Sequence, residues 1–332
     1  MSMIDTSAQP TAKATEVTDP SGTSRRRRRR RRARVTEQAP QHLRAHLTAY
    51  LMITPMVVLL GIFVVWPLVY AFYLSFFEMS FYKDAEFVGF DFYKYVLTDP
   101  EFYDSLLVGL KFALMVVPTI LVLALLLASF LATLSKRMAA FMKTTVYVPA
   151  VVSSVVAAII FVFIYQDEGF ANWFIGLFGQ GPLAWLNTAT TALPAVAVPA
   201  IWLGFGVSTL IMLAGILDIP ESYFESAKLD GANFWQRTRY ITIPSLRNVI
   251  LFLLVSGLTL TIQEFQLPLV MTNGGPVNAT NTPNLYIFNS FRDATPYATS
   301  YSLTAALLLF IVIGTISLII FRVVSSEKSS DA

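Results

Sequence analysis

The sequence predicts an all-α integral membrane protein with six transmembrane helices. Of its 332 residues, 55% are hydrophobic and only 14% are charged, and several long stretches carry no charge at all. Soluble domains carry about 25% charged residues, and a membrane-spanning helix needs about 20 apolar ones. A chain of this composition could not bury its apolar surface in one water-soluble core, so a soluble globular protein is excluded.

Six largely uncharged segments are long enough to cross a bilayer. The fourth, Gly169–Leu217, is too long for one crossing, and we divide it at the turn-forming residues 179–182 and 187–191. Its second part becomes the fourth span. The predicted spans are Leu47–Phe77, Phe112–Ser135, Thr144–Gln166, Ala192–Leu217, Pro244–Met271 and Tyr301–Phe321.

The positions of lysine and arginine predict the orientation. An even number of spans places both termini on one side of the membrane. Of the 24 lysine and arginine residues, 20 fall in the tails and loops on that side and 4 on the other. Because cytoplasmic loops are enriched in these residues, both termini are expected in the cytoplasm.

Both ends of the chain differ in composition from its middle. Residues 1–45 are polar and contain the block Arg25–Arg32, without a periodic apolar pattern, so we expect a disordered basic cytoplasmic tail. Residues 46–325 are expected to form the transmembrane domain, and 326–332 a short cytoplasmic tail. The arginine block either sets the orientation beside the first span and touches anionic lipid, or binds nucleic acid. The first interpretation needs no further partner, so no nucleic acid is predicted.

The sequence offers little support for catalysis. It contains no cysteine and two histidines, which leaves few residues for a thiolate, metal or triad site. A Gly-x-x-x-x-Gly-Lys-Ser/Thr phosphate-binding loop is also absent from the sequence. We therefore predict a protein that is not an enzyme, does not hydrolyse ATP itself, and holds no metal or cofactor of its own.

The segment 218–247 between the fourth and fifth spans has its own helix signals. Asp218 is predicted to cap a helix that includes Glu221 in its first turn and runs to about Leu229. Gly231 then supplies the left-handed conformation that ends it. A second short helix is expected near residues 232–240, followed by an extended stretch 241–243, because the residue before a proline avoids helical angles.

This segment carries apolar side chains outside the membrane. They favour docking into a groove of a partner. The alternative is an amphipathic helix lying flat on lipid, against which the acidic residues Glu221, Glu225 and Asp230 argue. The apolar positions are Tyr223, Phe224, Ala227, Leu229, Phe234 and Trp235.

The residues Glu225-Ser-Ala-Lys-Leu-Asp-Gly-Ala232 and Ile241-Thr-Ile-Pro244 resemble the EAA loop of ATP-binding-cassette (ABC) importer permeases. The family pattern is Glu-Ala-Ala, a gap, Gly, and a later Ile-x-Leu-Pro; Ser226 and Ile243 depart from it but keep a small and an aliphatic residue. The segments Gly169-Phe-Ala-Asn172 and Met271-Thr-Asn-Gly-Gly-Pro276 extend the likeness. Together they resemble the branch that imports maltose-like oligosaccharides and glycerol-3-phosphate.

The resemblance implies a mechanism and a set of partners. The loop would be a coupling helix that docks in a cleft of a cytoplasmic ATPase subunit, which binds ATP and magnesium. Further partners would be a second, homologous permease, an extracytoplasmic solute-binding protein and the lipid of a bacterial cytoplasmic membrane. The substrate would be a carbohydrate, such as a disaccharide or oligosaccharide. The implied coupling residues are Glu225, Ser226, Ala227, Asp230, Gly231, Ala232 and Pro244.

Polar residues in the fifth span suggest a substrate pathway, since polar groups within spans usually face the interior of the bundle. Hydrogen-bonding side chains beside an aromatic ring suit a sugar. Glu264, in the middle of the predicted span, either contacts substrate or gates the path, or lies near the outer interface and bridges to another helix. The candidates are Thr261, Gln263, Glu264, Phe265 and Gln266.

Two other functional classes remain. A stand-alone secondary transporter or channel for a small polar solute would use Glu264 to couple an ion, but no obvious repeat relates the two halves of the sequence. A membrane assembly or insertion factor would use the arginine block to bind ribosomal RNA.

Overall fold

A computed structural model describes residues 39–80 and 83–326. The chain divides into two units, one ending at Tyr70 and one beginning at Ala71. Helix α1 (Ala39–Leu60) passes through a π-helical turn, Gly61–Val65, into α2 (Trp66–Leu74). Helix α1 thus begins inside the tail predicted for residues 1–45. Residues 1–38 and 327–332, including the arginine block, lie outside the described residues.

The second unit begins with a short hairpin that the sequence did not predict. Strand β1 (Phe77–Ser80) pairs antiparallel with β2 (Lys83–Phe87), and Phe77 lies opposite Phe87. The N–H of Met79 donates to the Ser300 hydroxyl at 2.8 Å, which ties the hairpin to a distant helix. A short helix, α3 (Asp91–Thr98), follows.

The rest of the second unit is helical. Its elements, in chain order, are α4 (Pro100–Leu131), α5 (Lys136–Tyr147), α6 (Ser154–Ile164), α7 (Phe170–Gly176), α8 (Ala189–Leu217), α9 (Glu221–Leu229), α10 (Phe234–Arg237), α11 (Ile243–Ser245), α12 (Arg247–Ile262), α13 (Gln266–Thr272), α14 (Pro283–Arg292) and α15 (Ala298–Ser326).

Within the described residues, four helical segments are long and apolar enough to cross a membrane, or up to six if each of two bent pairs forms one span. The straight segments are Tyr50–Leu74, Pro100–Leu131, Ala189–Leu217 and Ala298–Arg322.

The third predicted span, Thr144–Gln166, is not one continuous helix. Helical segments meet at Val152 and Ser153 with a bend of 94°. Pro149 lies in a 3₁₀ turn after α5, and Ser153 has extended backbone angles before α6. A proline has no N–H to continue the ladder of an α-helix, which accounts for the end of α5.

The fifth predicted span, Pro244–Met271, is also broken. It bends by 72° between α11 and α12, and α12 ends at Ile262, before Gln263, Glu264 and Gln266, which were expected inside the span. Glu264 therefore lies in the connection between α12 and α13. The helix breaks here because polar side chains at this point offer the backbone an alternative to helical hydrogen bonds.

Helix α4 lies at the centre of the second unit. It contributes to each of the four hydrophobic clusters found among the described residues. The first cluster joins it to α6, α8 and α13, and the second joins it to α8 and α12. The third joins it to α12 and α15, and the fourth to α3, α14 and α15. Small residues let its neighbours come close. A Cβ added at Gly109 would lie 2.6 Å from Pro283 Cδ, and one at Gly206 of α8 would lie 2.3 Å from the Val146 carbonyl oxygen.

Candidate functional site

The segment between α8 and α12 begins differently from the prediction. Asp218 ends α8 instead of starting the next helix: it has helical backbone angles and its N–H donates to the carbonyl of Ile216. Pro220 is the residue that precedes α9, whose first turn contains Glu221. Because a proline ring fixes φ near the helical value, Pro220 can start the helix without a side-chain cap.

The C-terminal end of α9 was predicted correctly. The N–H of Gly231 donates to the Lys228 carbonyl at 3.1 Å, and that of Ala232 to the Ala227 carbonyl at 2.8 Å. Gly231 has a φ of +76°, so the arrangement is a Schellman motif with a left-handed glycine. A residue with a Cβ at this position would cost about 1–2 kcal/mol.

The second helix of the segment is short and strongly capped. The Asn233 side chain accepts from the N–H of Gln236 at 2.9 Å, while the Gln236 side chain accepts from the N–H of Asn233 at 2.8 Å. A π-helical turn, Thr238–Thr242, continues α10. The extended stretch predicted for 241–243 is therefore wrong. Pro244 lies in the first turn of α11, directly after this π-helical turn.

The segment presents apolar side chains to its surroundings. Leu229 is 90% exposed and Trp235 is 64% exposed. Tyr223 and Tyr240 are also exposed, and Ala227 is half-buried. Of the other predicted coupling residues, Ala232 is half-buried, and the exposed ones are Glu225, Ser226, Asp230, Gly231 and Pro244.

A second candidate site is a cavity of about 460 Å³ between α4, α8 and α12. Most of its lining is apolar. Two serines that line it donate to carbonyl oxygens one turn earlier in their own helices. Ser208 donates to the carbonyl of Gly204 at 3.2 Å, and Ser256 donates to that of Phe252 at 2.6 Å. The polar side chains that line the cavity are Ser154, Ser208, Ser256, Thr261 and Glu264.

Glu264 holds together the break between α12 and α13. Its Oε1 accepts from the N–H groups of Gln266 and Leu267, at 2.8 and 3.1 Å, and so caps the start of α13. The freed carbonyls also have partners: Thr282 Oγ1 donates to the Glu264 carbonyl at 2.8 Å, and Asn284 Nδ2 to that of Gln263 at 2.7 Å. Thr282 precedes Pro283 at the start of α14, a recognisable helix-start signal that the sequence analysis did not use.

The five predicted pathway residues do not converge. Thr261 and Glu264 line the cavity, whereas Gln263 and Gln266 are exposed and do not line it. The ring of Phe265 lies 5.5 Å from that of Phe288 in α14. The predicted aromatic platform beside the carboxylate is therefore engaged in packing between helices.

The Met271–Pro276 motif borders a smaller cleft of about 400 Å³. The cleft also includes Leu186 and Asn187 from the loop before α8. In the motif, Thr272 Oγ1 and Thr280 Oγ1 form a hydrogen bond of 2.6 Å, and Thr280 also donates to the Gly275 carbonyl at 2.9 Å. These bonds close the loop on itself.

A polar junction at the start of α4 was not predicted from the sequence. The Asp99 side chain caps α4 by accepting from the N–H of Glu101 at 2.8 Å. Its other oxygen accepts from the hydroxyls of Tyr286 and Tyr301, both at 2.5 Å, and the two hydroxyls also contact each other. One carboxylate thus joins α4, α14 and α15. Aspartate before proline predicts the cap, but no short sequence pattern predicts two tyrosines almost two hundred residues away.

The junction shifts the pKa values of its members. Burial raises the pKa of the Asp99 carboxyl, but the hydrogen bonds from Tyr286, Tyr301 and the Glu101 N–H outweigh it, so the pKa lies below its usual 3.8. Burial, together with the hydrogen bond to Asp99, raises the pKa of the Tyr286 hydroxyl well above its usual 10.0. Both shifts favour a charged carboxylate beside neutral hydroxyls.

The chain resembles proteins of known families. A family model described as "Binding-protein-dependent transport system inner membrane component" matches residues 99–329. The trehalose/maltose transport system permease protein MalF of Thermococcus litoralis is 30% identical over 247 residues, which cover 73% of this chain and 83% of that protein. The lactose transport system permease protein LacF of Rhizobium radiobacter is 28% identical over 85% of this chain and 95% of its own.

The fold is also found in a solved structure. The chain matches one from a bacterial ABC transporter involved in the import of the acidic polysaccharide alginate, with a TM-score of 0.71 and 22% sequence identity. The match covers 87% of this chain and 99% of that chain. At this identity the likeness concerns the fold alone.

The polar junction generates a stability prediction. Asp99→Asn keeps an oxygen that can cap α4 but removes the charge that both tyrosine hydroxyls contact. We expect the free energy of unfolding to fall by roughly 2 kcal/mol, since hydrogen bonds to a charged group contribute about 1.5–3 kcal/mol. The measurement is the thermal unfolding midpoint of the purified protein in detergent.

The control is Asp104→Asn, which removes an exposed carboxylate from the same helix. Tyr286→Phe should also destabilise the protein, and the double variant should lose less than the sum because the two residues share one interaction. If the losses in stability of the two single variants add up in the double variant, or if Asp99→Asn is as stable as Asp104→Asn, the junction contributes nothing to stability.

Proposed function

The chain belongs to the family of inner membrane components of binding-protein-dependent transport systems, and from this premise we propose that it is the permease subunit of an ABC importer for a disaccharide or oligosaccharide. The observation that carries the proposal is the family match to residues 99–329, which spans every element from α4 to α15. The names of curated relatives support the substrate class: trehalose and maltose, lactose, and arabinooligosaccharides.

In the proposed topology the protein crosses the membrane six times. Each bent pair of helices counts as one span, so that the described segments give six spans. The distribution of lysine and arginine, 20 against 4 of the 24, supports a cytoplasmic location for both termini. Residues 1–45 would then be a basic cytoplasmic tail and 46–325 the membrane domain, with a short cytoplasmic tail at 326–332.

In this topology α9 and α10 lie at the cytoplasmic face and form the coupling element. Four exposed apolar or aromatic side chains support this role, because such a surface outside the lipid is stabilised by a protein groove. Ala227 and Ala232 pack around the Schellman turn at Gly231 and would allow close approach. Glu225 projects from the exposed surface of α9, where it could pair with a cation of the partner.

The partners follow from this role. ATPase subunits in the cytoplasm would bind ATP and magnesium and engage the coupling element. A second, related permease would complete the translocation path, and an extracytoplasmic solute-binding protein would deliver the sugar. This chain would supply no ATP site of its own.

The cavity between α4, α8 and α12 is the proposed substrate path through this subunit. Its apolar lining suits the weakly polar faces of a sugar ring, and Thr261 and Glu264 can hydrogen-bond to sugar hydroxyls. Since Glu264 also caps α13, a change in how substrate contacts the carboxylate would be felt at the break between α12 and α13. Substrate binding and the arrangement of the fifth span would thereby be coupled.

Transport requires two conformations that nucleotide and binding protein bias in the same direction. ATP binding would close the ATPase subunits, draw the coupling elements together and open the path outward; hydrolysis would return it inward. The bends beside α12 offer places where helical segments can change angle. A ligand shifts this equilibrium only as far as its affinities for the two states differ.

An ion-coupled transporter is less well supported. Such a mechanism needs a carboxylate that is free to bind and release the coupling ion. Glu264 instead accepts two backbone N–H groups, which commits Oε1 to the fold.

The proposed function is tested by identifying the proteins that accompany this chain. Purification of the tagged protein from native membranes in mild detergent, followed by mass spectrometry, should recover an ATPase, a second permease and a solute-binding protein. The binding protein can then be screened against disaccharides and oligosaccharides. Recovery of this chain alone, or as a homo-oligomer, under conditions that keep known ABC importers intact would overturn the proposal.

Charge reversal in the coupling element should separate ATP hydrolysis from transport. In the reconstituted transporter, Glu225→Lys should lower the amount of sugar imported per ATP hydrolysed roughly tenfold, equivalent to about 1.4 kcal/mol. The control is Glu221→Lys, which makes the same change one turn earlier on the same exposed helix. Equal effects of the two variants, or no effect of either, would contradict a specific contact at Glu225.

The role of Glu264 can be divided by two substitutions. Glu264→Gln retains an oxygen that caps α13. The thermal stability of this variant should therefore change little, while its KM for sugar uptake should rise. Glu264→Ala removes the cap as well and should lose about 1 kcal/mol of stability. If Glu264→Gln destabilises as much as Glu264→Ala and leaves KM unchanged, the carboxylate is structural only.

A further inference from the structure

Helix α7 and the turn that follows it carry an aromatic face. Five large exposed side chains, three in α7 and two in the turn after Gly176, fall at the spacing i, i+3, i+4, i+7 and i+8. This is the spacing of residues along one side of a helix. Their rings contact one another: Phe170 lies 5.5 Å from Trp173, and Phe174 lies 5.5 Å from Phe178. The five residues are Phe170, Trp173, Phe174, Leu177 and Phe178, between 49% and 72% exposed.

The opposite side of α7 is fixed to the fold. Asn172 is buried, and its Oδ1 accepts from the Leu183 N–H and from Trp185 Nε1, both at 2.9 Å. Its Nδ2 donates to the carbonyls of Gln166 and Leu183, both at 3.1 Å. All hydrogen-bonding positions of this amide are thus occupied, which sets the rotation of α7 and turns the aromatic face outward.

The start of α7 is pressed against the end of α6. A Cβ added at Gly169 would lie 2.5 Å from the carbonyl oxygen of Ile164 and 2.7 Å from that of Phe163. Helix α6 belongs to one of the segments apolar enough to cross a membrane, and the exposed Phe163 lies in its last turn. The aromatic face therefore begins directly after Gly169, the residue that packs against the end of this segment.

We propose that α7 lies along the membrane–water interface, with its aromatic face inserted between lipid headgroups and the first acyl carbons. The family is one of inner membrane components, and α6 belongs to a bent pair that is apolar enough to form one span, so the face of α7 continues from a proposed membrane segment. Tryptophan and other aromatic rings are enriched at this depth of a bilayer. The acidic pair Asp167 and Glu168 is exposed just before the helix, as expected for residues on its water side.

The anchor has a consequence for the neighbouring loop. Asn172 ties α7 to Leu183 and Trp185, and the next residues, Leu186 and Asn187, line the cleft beside the Met271–Pro276 motif. The lipid surface would thereby fix the height of one wall of this cleft. This role is independent of which solute the protein carries.

The natural absence of cysteine makes the test direct. Trp173→Cys and Phe174→Cys are each spin-labelled in the full chain, purified with its co-purifying partners and placed in phosphatidylcholine nanodiscs. Electron paramagnetic resonance then measures the collision rate of each label with oxygen, which concentrates in lipid, and with a water-soluble nickel chelate. Val277→Cys, at a loop residue that is 93% exposed, is the matched label in water.

The ratio of oxygen to nickel collisions at 173 and 174 should exceed that at 277 several-fold. A ratio equal to that at 277 would place the face in water, and protection from both reagents would place it against protein; either result overturns the proposal. Quenching of tryptophan fluorescence by brominated lipid gives a second measurement without a label. Trp173→Phe should lower the quenched fraction relative to the unmodified chain, and an unchanged fraction would also contradict the proposal.

Discussion

Backbone groups that leave a helix inside or beside a membrane must find partners within the protein, because hydrocarbon offers none. The connection between α12 and α13, in the proposed fifth span, shows how this chain meets that demand. Where α12 ends, the carbonyls of Gln263 and Glu264 accept from Asn284 and Thr282, and the N–H groups that open α13 donate to the Glu264 carboxylate. An irregular connection can therefore exist at this depth. The same connection brings Glu264 to the edge of the cavity.

Close packing around α4 complements this hydrogen bonding. Lipid tails are as apolar as leucine, so helices in a membrane associate mainly through close contact and not through exclusion of water. Ala113, Ala124 and Ala128 of α4 are fully buried. A Cβ added at Gly204 of α8 would lie 2.8 Å from Ile120 Cδ1. A tightly held central helix gives the cavity a firm wall, while the polar breaks lie on the helices around it.

Features set by local chemistry were predictable from the sequence. The end of α9 near Leu229 and the left-handed Gly231 follow from residues within a few positions of each other, and both are present in the structure. Apolar length identified the segments able to cross a membrane, but it could not detect the bends at Val152 and Leu246, which depend on caps and on packing from elsewhere. Asp218 was misassigned because an aspartate two residues before a proline suits the end of one helix and the start of another equally well.

The candidate site was less predictable than the fold. Composition singled out the polar residues after Thr261 but could not tell which would face the cavity, since the break in the span rotates Gln263 and Gln266 away from Thr261 and Glu264. The partners that hold the break, Thr282 and Asn284, are distant in sequence. A carboxylate that looked like a functional charge inside a span thus also serves as a helix cap.

The junction at Asp99 has a consequence for the range of external pH over which the fold is held together. In the proposed orientation it faces the medium outside the cell, whose acidity the cell does not control. The carboxylate stabilises the fold fully above its usual pKa of 3.8, and this contribution fades only as the pH falls through the still lower value in the folded protein. The Tyr286 hydroxyl stays neutral well into alkali. In that orientation the outer ends of α4, α14 and α15 thus remain joined over a wide range of external pH.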